Sequence, residues 1–387
     1  MNETIFLDLV KLEDIQKQLF RFLINKKVNV TMIVLLFVCK DLKTIVELYL
    51  ETKFKQTVRP RKFQICAQVA SSGNVELLKW VTNIGYKWDW RTCSSAARNG
   101  HLEVLKWARE NGCKWNSKTC SGAAQNGHLE VLKWARENGC EWNSKICSGA
   151  AENGHLEVIK WAHKNDCKWN SFTCSGAAIN GHLKILKWAH ENGCEWDCLT
   201  CSNAAANGHL TVLKWAHENG CEWDHWTCSN AASNGHLEIL KWARENGSEW
   251  NSDICTRAAF NGHLEVLKWA RENGCPWDSW TCISAAENGH LEILKWVHEN
   301  GKRDPSVDTG NGLSVPGCDW DCRTCSRAAK NGHLEVLKWA RENGCEWNSN
   351  TCANAASNGH LEILKWAHEN GCPCNDPTHI TIIQQMK

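Results

Sequence analysis

The stretch that decides the fold runs from Trp115 to Cys140 and reads WNSKTCSGAAQNGHLEVLKWARENGC. After one further residue, Glu141, it begins again at Trp142. Its Gly-His pair recurs with the histidine at 101, 128, 155, 182, 209, 236, 263 and 290, every step 27 residues, and again at His333 and His360. A degenerate copy with Asn74 in the histidine slot precedes them, which makes about eleven copies over residues 64–374. A fixed period between about 20 and 50 residues is the signature of a stacked array.

Two helices fit within one copy. The first is expected near Thr119 to Gln125, with Asn116 or Ser117 as its N-cap. Ala123 and Ala124 are its small, close-packing residues, and Asn126-Gly127 ends it. The second is expected from about His128 to Glu137, closed by Asn138-Gly139 in a left-handed turn. Leu129, Leu132 and Ala135 make one apolar row, widened by Val131 and Trp134. Glu130, Lys133 and Glu137 form the solvated stripe. Neither helix can bury its apolar face alone, so each copy must lean on the next. A leucine-rich repeat is excluded, because no copy carries a Leu-x-Leu strand core and the apolar spacing is helical. The tetratricopeptide pattern fails on length and on the Ala-Ala before Asn-Gly-His.

The stretch A-A-x-N-G-H-L-E-V-L-K-W resembles the helical half of the ankyrin repeat. Ala123-Ala124, Gly127-His128-Leu129 and Asn138-Gly139 sit where that family has them. Cys120 falls at the buried Leu of the family's T-P-L-H motif, and Ser121 at its His. The family period is about 33, so each copy here is shorter by about six residues, and the loss falls between Cys140 and Ile146, where the family extends a β-hairpin. The resemblance implies an all-α fold: an α-solenoid of about eleven ankyrin-like helix pairs with shortened or absent β-hairpins. The short Trp- and Cys-rich form resembles arrays multiplied in large DNA viruses of protists and in some protists. It implies a viral protein in the host cell cytoplasm whose partner is a host or viral protein.

Composition narrows the rest. Lys and Arg number 44 against 43 Asp and Glu, so no global charge draws the chain to nucleic acid or to a membrane surface. The longest apolar run, Met32 to Cys39, is too short to span a bilayer. The N-terminus lacks the basic region and cleavage site of a signal peptide, so a soluble, cytoplasmic protein is expected, and a monomer. Of the 24 cysteines, ten lie on one 27-residue ladder from Cys93 to Cys352, extended by Cys66. Nine lie on a second, from Cys113 to Cys372. In a reducing compartment these are small buried apolar residues copied by duplication. A zinc site would need Cys113, Cys120 and His128, which do not have a usual ligand spacing, so no metal and no cofactor are expected.

Two tryptophan ladders, Trp80 to Trp366 and Trp88 to Trp347, fall where the family places core residues and read as inter-repeat packing. His128 and its equivalents carry over the family's structural hydrogen-bonding role. A Cys-His nucleophile would occur once rather than in every copy, and no P-loop, G-x-S-x-G or zincin motif is present. The chain does not read as an enzyme.

Residues 1–63 differ in kind, with no Trp and one Cys. Leu12, Ile15 and Leu19, with Val38 and Cys39 some way on, resemble an F-box, although its usual Pro and the Trp after V-C-K are missing. This segment is an N-terminal helical cap or an F-box-like segment; the latter implies a Skp-type adaptor and a cullin as partners. Residues 302–317 are an insertion rich in Gly, Pro, Ser and Asp, whose removal restores the 27-residue step from His290 to His333. Residues 375–387 are expected to form a C-terminal capping helix, with Asp376 as cap and Pro377 at its first position.

Since the scaffold is nearly identical in each copy, information must lie where copies differ. The residue three after the second Trp runs Arg91, Lys118, Lys145, Phe172, Leu199, Trp226, Asp253, Trp280, Arg323, Asn350. The residue before Asn-Gly-His also varies, and includes Ile179, Phe260 and Lys330. The resemblance places both slots on the concave groove. Apolar residues concentrate in the middle copies and basic ones flank them, which is the anatomy of a protein-binding site. The expected partner-binding residues are Arg91, Lys118, Lys145, Phe172, Ile179, Leu199, Trp226, Phe260, Trp280 and Arg323.

Overall fold

A computed structural model describes residues 64–83, 85–301 and 320–385. The F-box-like residues Leu12, Ile15, Leu19, Val38 and Cys39 and the insertion at 302–317 lie outside the described residues. The chain divides into two units, residues 1–66 with 81–88, and residues 67–80 with 89–387. Within the first, the amide of Tyr86 donates to the Val81 carbonyl at 3.1 Å. The second carries the array.

Every complete copy is a helix pair, such as Ser117–Gln125 with Leu129–Glu137 and Ser171–Ile179 with Leu183–Glu191. No strand occurs among the described residues, and Cys140 to Asn143 is a plain loop where a hairpin could have stood. The first helix starts two residues earlier than the apolar pattern suggests, because Asn116 supplies the cap: its side chain accepts from the Lys118 amide at 3.0 Å. Asp89, Asp197, Asp224, Asp278 and Asp321 do the same in their copies. At the other end the Asn126 amide nitrogen donates to the Gly122 carbonyl at 2.9 Å, which satisfies a terminal acceptor.

The first helices of consecutive copies pack against one another, and each second helix packs on its own partner. Thr119, Cys120, Ala123 and Ala124 are fully buried in the first helix, and Val131, Leu132 and Ala135 are buried in the second. Leu129, expected in that row, is only half-buried, because the second helix begins there and its core-facing side starts two residues later. Glu130 and Lys133 pair at 2.7 Å on the solvated stripe.

The Gly-His motif has a stereochemical cause. The His128 Nε2–H donates to the Arg98 carbonyl, 30 residues back in the preceding copy, at 3.0 Å. Its ring lies so close to Gly100 that a Cβ there would sit 2.7 Å from the imidazole, and Gly100 has φ +77°. The same relation crosses the insertion: His333 reaches the Glu287 carbonyl at 3.1 Å. The stack therefore keeps its register from the copy before residue 302 to the copy after residue 319.

Among the described residues the ladder cysteines are buried as expected. The Cys113 thiol donates to the Asp89 carbonyl at 3.3 Å and the Cys140 thiol to the Asn116 carbonyl at 3.5 Å, each tying the end of a copy to its own N-cap. Ser248 serves in that ladder by hydrogen-bonding the Cys228 sulfur at 3.0 Å. Burial pushes the Cys228 thiol up, and a neighbouring thiol together with burial does so at Cys93 and Cys120. Such groups stay protonated and unreactive near neutrality. The all-thiol reading needs correction: Cys352 and Cys374 are joined as a disulfide. The turn after Asn370-Gly371 brings Cys374, which belongs to neither ladder, onto the first. Cys282 is disulfide-bonded as well.

The tryptophans also depart from expectation. In the two ladders, apart from Trp277, which is buried, the tryptophans whose burial is described are half-buried rather than core. They form a stacked ladder: Arg109 lies 4.1 Å over the Trp115 ring, whose edge meets Trp134 at 5.8 Å. In middle copies a histidine replaces the arginine, as where His163 stacks on Trp169 at 4.1 Å and meets Trp188 edge-on. The rings are still inter-repeat packing, but they hold copies together along a half-exposed surface. The last helix, Pro377–Gln385, packs on the final pair, and the Thr378 amide donates to Asp376 at 2.9 Å.

Candidate partner-binding face

The N-caps aim the variable slots. Because the first helices from Trp90 on begin one residue after an Asn or Asp, or at Lys145 two residues after Asn143, whose side chain accepts from the Lys145 amide, the variable residue lies in the first turn, away from the buried Thr-Cys and Ala-Ala positions. That places Arg91, Lys118, Lys145, Phe172, Leu199, Trp226, Trp280 and Arg323 on one row. The slot seven residues later, with Gln125, Glu152, Ile179 and Phe260, makes a second row at the other end of the same helices. Seven residues of helix separate the rows by about 10 Å.

Exposure singles out the middle of these rows. Phe172 is 58 % exposed, Leu199 44 %, Trp226 43 %, Phe260 44 % and Trp280 46 %. The one other large hydrophobic side chain so exposed among the described residues is Leu361, on the last second helix. Ile179 is half-buried. Apart from Leu361, the other large apolar groups among the described residues are covered, so this concentration stands out on their surface.

Between the rows lies an open trough of about 700 Å³, lined by four consecutive first helices from Ser121 to Asn203. It brings together Lys145, Phe172, Ile179 and Leu199 with the hydroxyls of Ser148 and Ser175. Trp226, Phe260 and Trp280 lie further along and do not line it. Asp253 interrupts their row, and two arginines engage their rings: Arg257 lies 4.9 Å over Trp226 and Arg323 lies 5.2 Å over Trp280. Phe260 contributes its carbonyl to His290 Nε2 at 3.0 Å while its ring stays exposed.

The basic flanks are unequal. Arg91 pairs with its own cap Asp89 at 3.1 Å, and Arg323 with Asp321 at 2.8 Å. That pairing holds the Asp321 carboxyl below its ordinary value against the opposing effect of burial. Lys118 rests 4.6 Å over the Trp90 ring. Neither Lys118 nor Lys145 has a carboxylate partner among the described residues, so unpaired positive charge lies at Lys145, which lines the trough, and at Lys118, one step beyond it in the row.

Some participants escaped the sequence reading. Arg257 and Trp90 were not singled out, nor were the residues one turn after the first variable slot. There the copies carry Ser95, Gly122, Gly149, Gly176, Asn203, Asn230, Arg257, Ser284, Arg327 and Asn354. That variation was visible in the sequence, and its meaning is steric: Gly149 and Gly176 line the trough and place no side chain in it. No group of three or more His, Cys, Asp or Glu side chains able to hold a metal occurs among the described residues. None of their helices is long and apolar enough to cross a membrane.

Residues 201–244, 228–271, 254–298 and 325–368 match the family model for ankyrin repeats, many copies. Among solved structures, the crystal structure of the human ASB11 ankyrin repeat domain is similar at 18 % identity, over 46 % of this chain and 85 % of that one, with a TM-score of 0.35. No curated protein matches the chain.

Proposed function

The chain contains ankyrin repeats over residues 201–298 and 325–368, and from that premise we propose that the array of copies is a non-catalytic interaction scaffold that binds a polypeptide partner on the row of first helices between Lys118 and Trp280. Ankyrin repeats generally mediate protein–protein contact. One observation carries the assignment to this face: among the described residues, five of the six exposed large hydrophobic side chains fall in the two variable slots, within copies whose other positions barely change. A scaffold that needed no ligand would gain nothing from holding Phe172 and Trp226 in water. Each such ring, once covered, contributes about 1.5–3 kcal/mol, so four or five suffice for a specific interface with a polar rim.

The test is selection of ligands from an unbiased displayed-peptide library against the full chain. The binding of the selected ligands is then measured to a variant carrying Phe172→Ser, Leu199→Ser, Trp226→Ser and Trp280→Ser. We expect binding to disappear while the circular dichroism spectrum is unchanged, because these side chains leave the core intact. Ligands that bind the variant as well as the parent would place the site elsewhere.

A further inference from the structure

The trough also specifies what kind of segment it takes. Gly149 and Gly176 line it, at a slot where other copies carry Asn203, Asn230 and Arg257. Glycine inside a helix is unfavourable by about 1 kcal/mol relative to alanine, so each needs a reason. At Gly176 the reason is packing, since a Cβ would meet the Ser148 carbonyl oxygen at 3.0 Å. At Gly149 it is not: the nearest atoms to a Cβ there are the Gln125 side chain at 3.7 and 3.8 Å, an ordinary contact. What Gly149 does is leave the trough open, so that a partner's main chain can approach the helix backbone.

Trough dimensions follow from helix geometry. The rims lie about 10 Å apart, the width of one extended strand with side chains reaching alternately to either rim. Along the stack, packed helices repeat every 8–10 Å or so, while an extended chain advances about 3.3 Å per residue. A strand laid across the first helices therefore meets an equivalent position about every third residue. Along the first-slot row those positions read Lys118, one step beyond the trough, then Lys145, Phe172 and Leu199, which line it: two cations without carboxylate partners among the described residues, then two exposed apolar groups. On the opposite rim Glu152 repels acidic side chains and Ile179 offers apolar contact, so a partner's acids are directed to the lysine rim.

We propose that the trough binds an extended segment of a partner protein in which two acidic residues, about three apart, are followed along the stack by apolar residues at the same spacing. The acids face Lys118 and Lys145, and the apolar side chains cover Phe172, Ile179 and Leu199. This rests on the reading of the first-helix row as the binding face, and it narrows that reading to one end of the row and one class of partner.

The probes are fluorescein-labelled synthetic peptides of about twelve residues, made with the acidic–apolar pattern in both chain directions. A composition-matched scramble and a version with lysines for the acids complete the set. Fluorescence anisotropy measures their binding to the full chain and to two variants. We expect one direction of the patterned peptide to bind, and the scramble and lysine peptides to bind at least tenfold more weakly. Reversing charge with Lys118→Glu and Lys145→Glu should weaken the patterned peptide on the order of tenfold and improve the lysine peptide. Gly149→Asn, which copies the residue of neighbouring repeats, should close the trough and remove binding without loss of helix content. Equal binding of patterned and scrambled peptides, no binding of any, or insensitivity to both variants would overturn the proposal. Library-selected ligands keep its failure separate from that of the parent reading. If they lack the pattern yet lose binding on Phe172→Ser with Leu199→Ser, only this inference fails; if they ignore those changes, both fail.

Discussion

The Gly-His motif makes the sharpest structural prediction. Gly100 and Gly112 both have positive φ, +77° and +83°, so an added Cβ strains the backbone similarly at each, by about 1–2 kcal/mol. Their surroundings differ. A Cβ on Gly112 meets nothing within 4 Å, whereas one on Gly100 lies 2.7 Å from the His128 ring of the next copy. The ring must move, which sacrifices its hydrogen bond to the Arg98 carbonyl, about 1 kcal/mol, and part of its packing. Gly100→Ala should therefore cost about 3 kcal/mol and Gly112→Ala about 1.5 kcal/mol. His128→Ala removes the obstacle, so the double change with Gly100→Ala should cost about 1 kcal/mol less than the sum of the two single changes. Urea titration of the four variants followed by tryptophan fluorescence gives these costs, and hydrogen exchange should place the loss in the helices Trp90–Arg98 and Ser117–Gln125. Equal costs for Gly100→Ala and Gly112→Ala would refute the claim that the histidine of one copy fixes the glycine of the one before.

Other consequences follow from the same geometry. Burial pushes the His155 and His333 imidazoles below their ordinary value, so acid protonates them first in the unfolded chain. The array should hold its stability above about pH 6.5 and lose it as the pH falls below that value; a midpoint of unfolding that rises on acidification from pH 7 to 5.5 would contradict this. The Thr119 hydroxyl is buried with no hydrogen-bond partner, and Ile146 and Ile254 occupy its slot in other copies. Thr119→Val should raise stability by about 1 kcal/mol, read as a higher urea midpoint, with an unchanged or lower midpoint opposing the argument. Gly149→Ala should stabilise its helix by up to about 1 kcal/mol; destabilisation would mean that a packing constraint, not an open trough, holds the glycine there.

The fold was legible because its signal is repeated and local. Asn116, Asn126-Gly127, His128 and Asn138-Gly139 each announce a cap, a turn or a contact, and every copy repeats the message. The errors arose where a residue's place depends on which way its helix turns. Leu129 shares the apolar spacing of Leu132 but stands at the first residue of its helix, and Val131 takes the core position. Trp115 and Trp134 look like core residues in composition, yet their size leaves them half outside, stacked with Arg109 and its equivalents. The disulfide of Cys352 was hidden because Cys374 belongs to no ladder and only the last turn brings it near.

The candidate site was half legible. Variation at Lys145, Phe172 and Leu199 marked the row, and exposure confirms that these side chains face outward. The trough was missed because it is defined by absence: Gly149 carries no chemistry to notice, and its effect appears only when Lys145, Ile179 and Leu199 are seen around it. Pairing of Arg91 with Asp89 and of Arg323 with Asp321 was likewise a matter of geometry, and it moves the available positive charge to one end.

The most direct test of the binding face is hydrogen exchange of the full chain with and without a ligand selected from an unbiased peptide library. The account predicts added protection in the first helices Lys145–Glu152, Ser171–Ile179 and Cys198–Ala206, with the second helices Leu156–Lys164 and Leu183–Glu191 unchanged. Protection confined to the second helices, or to the tryptophan ladder beside them, would contradict it.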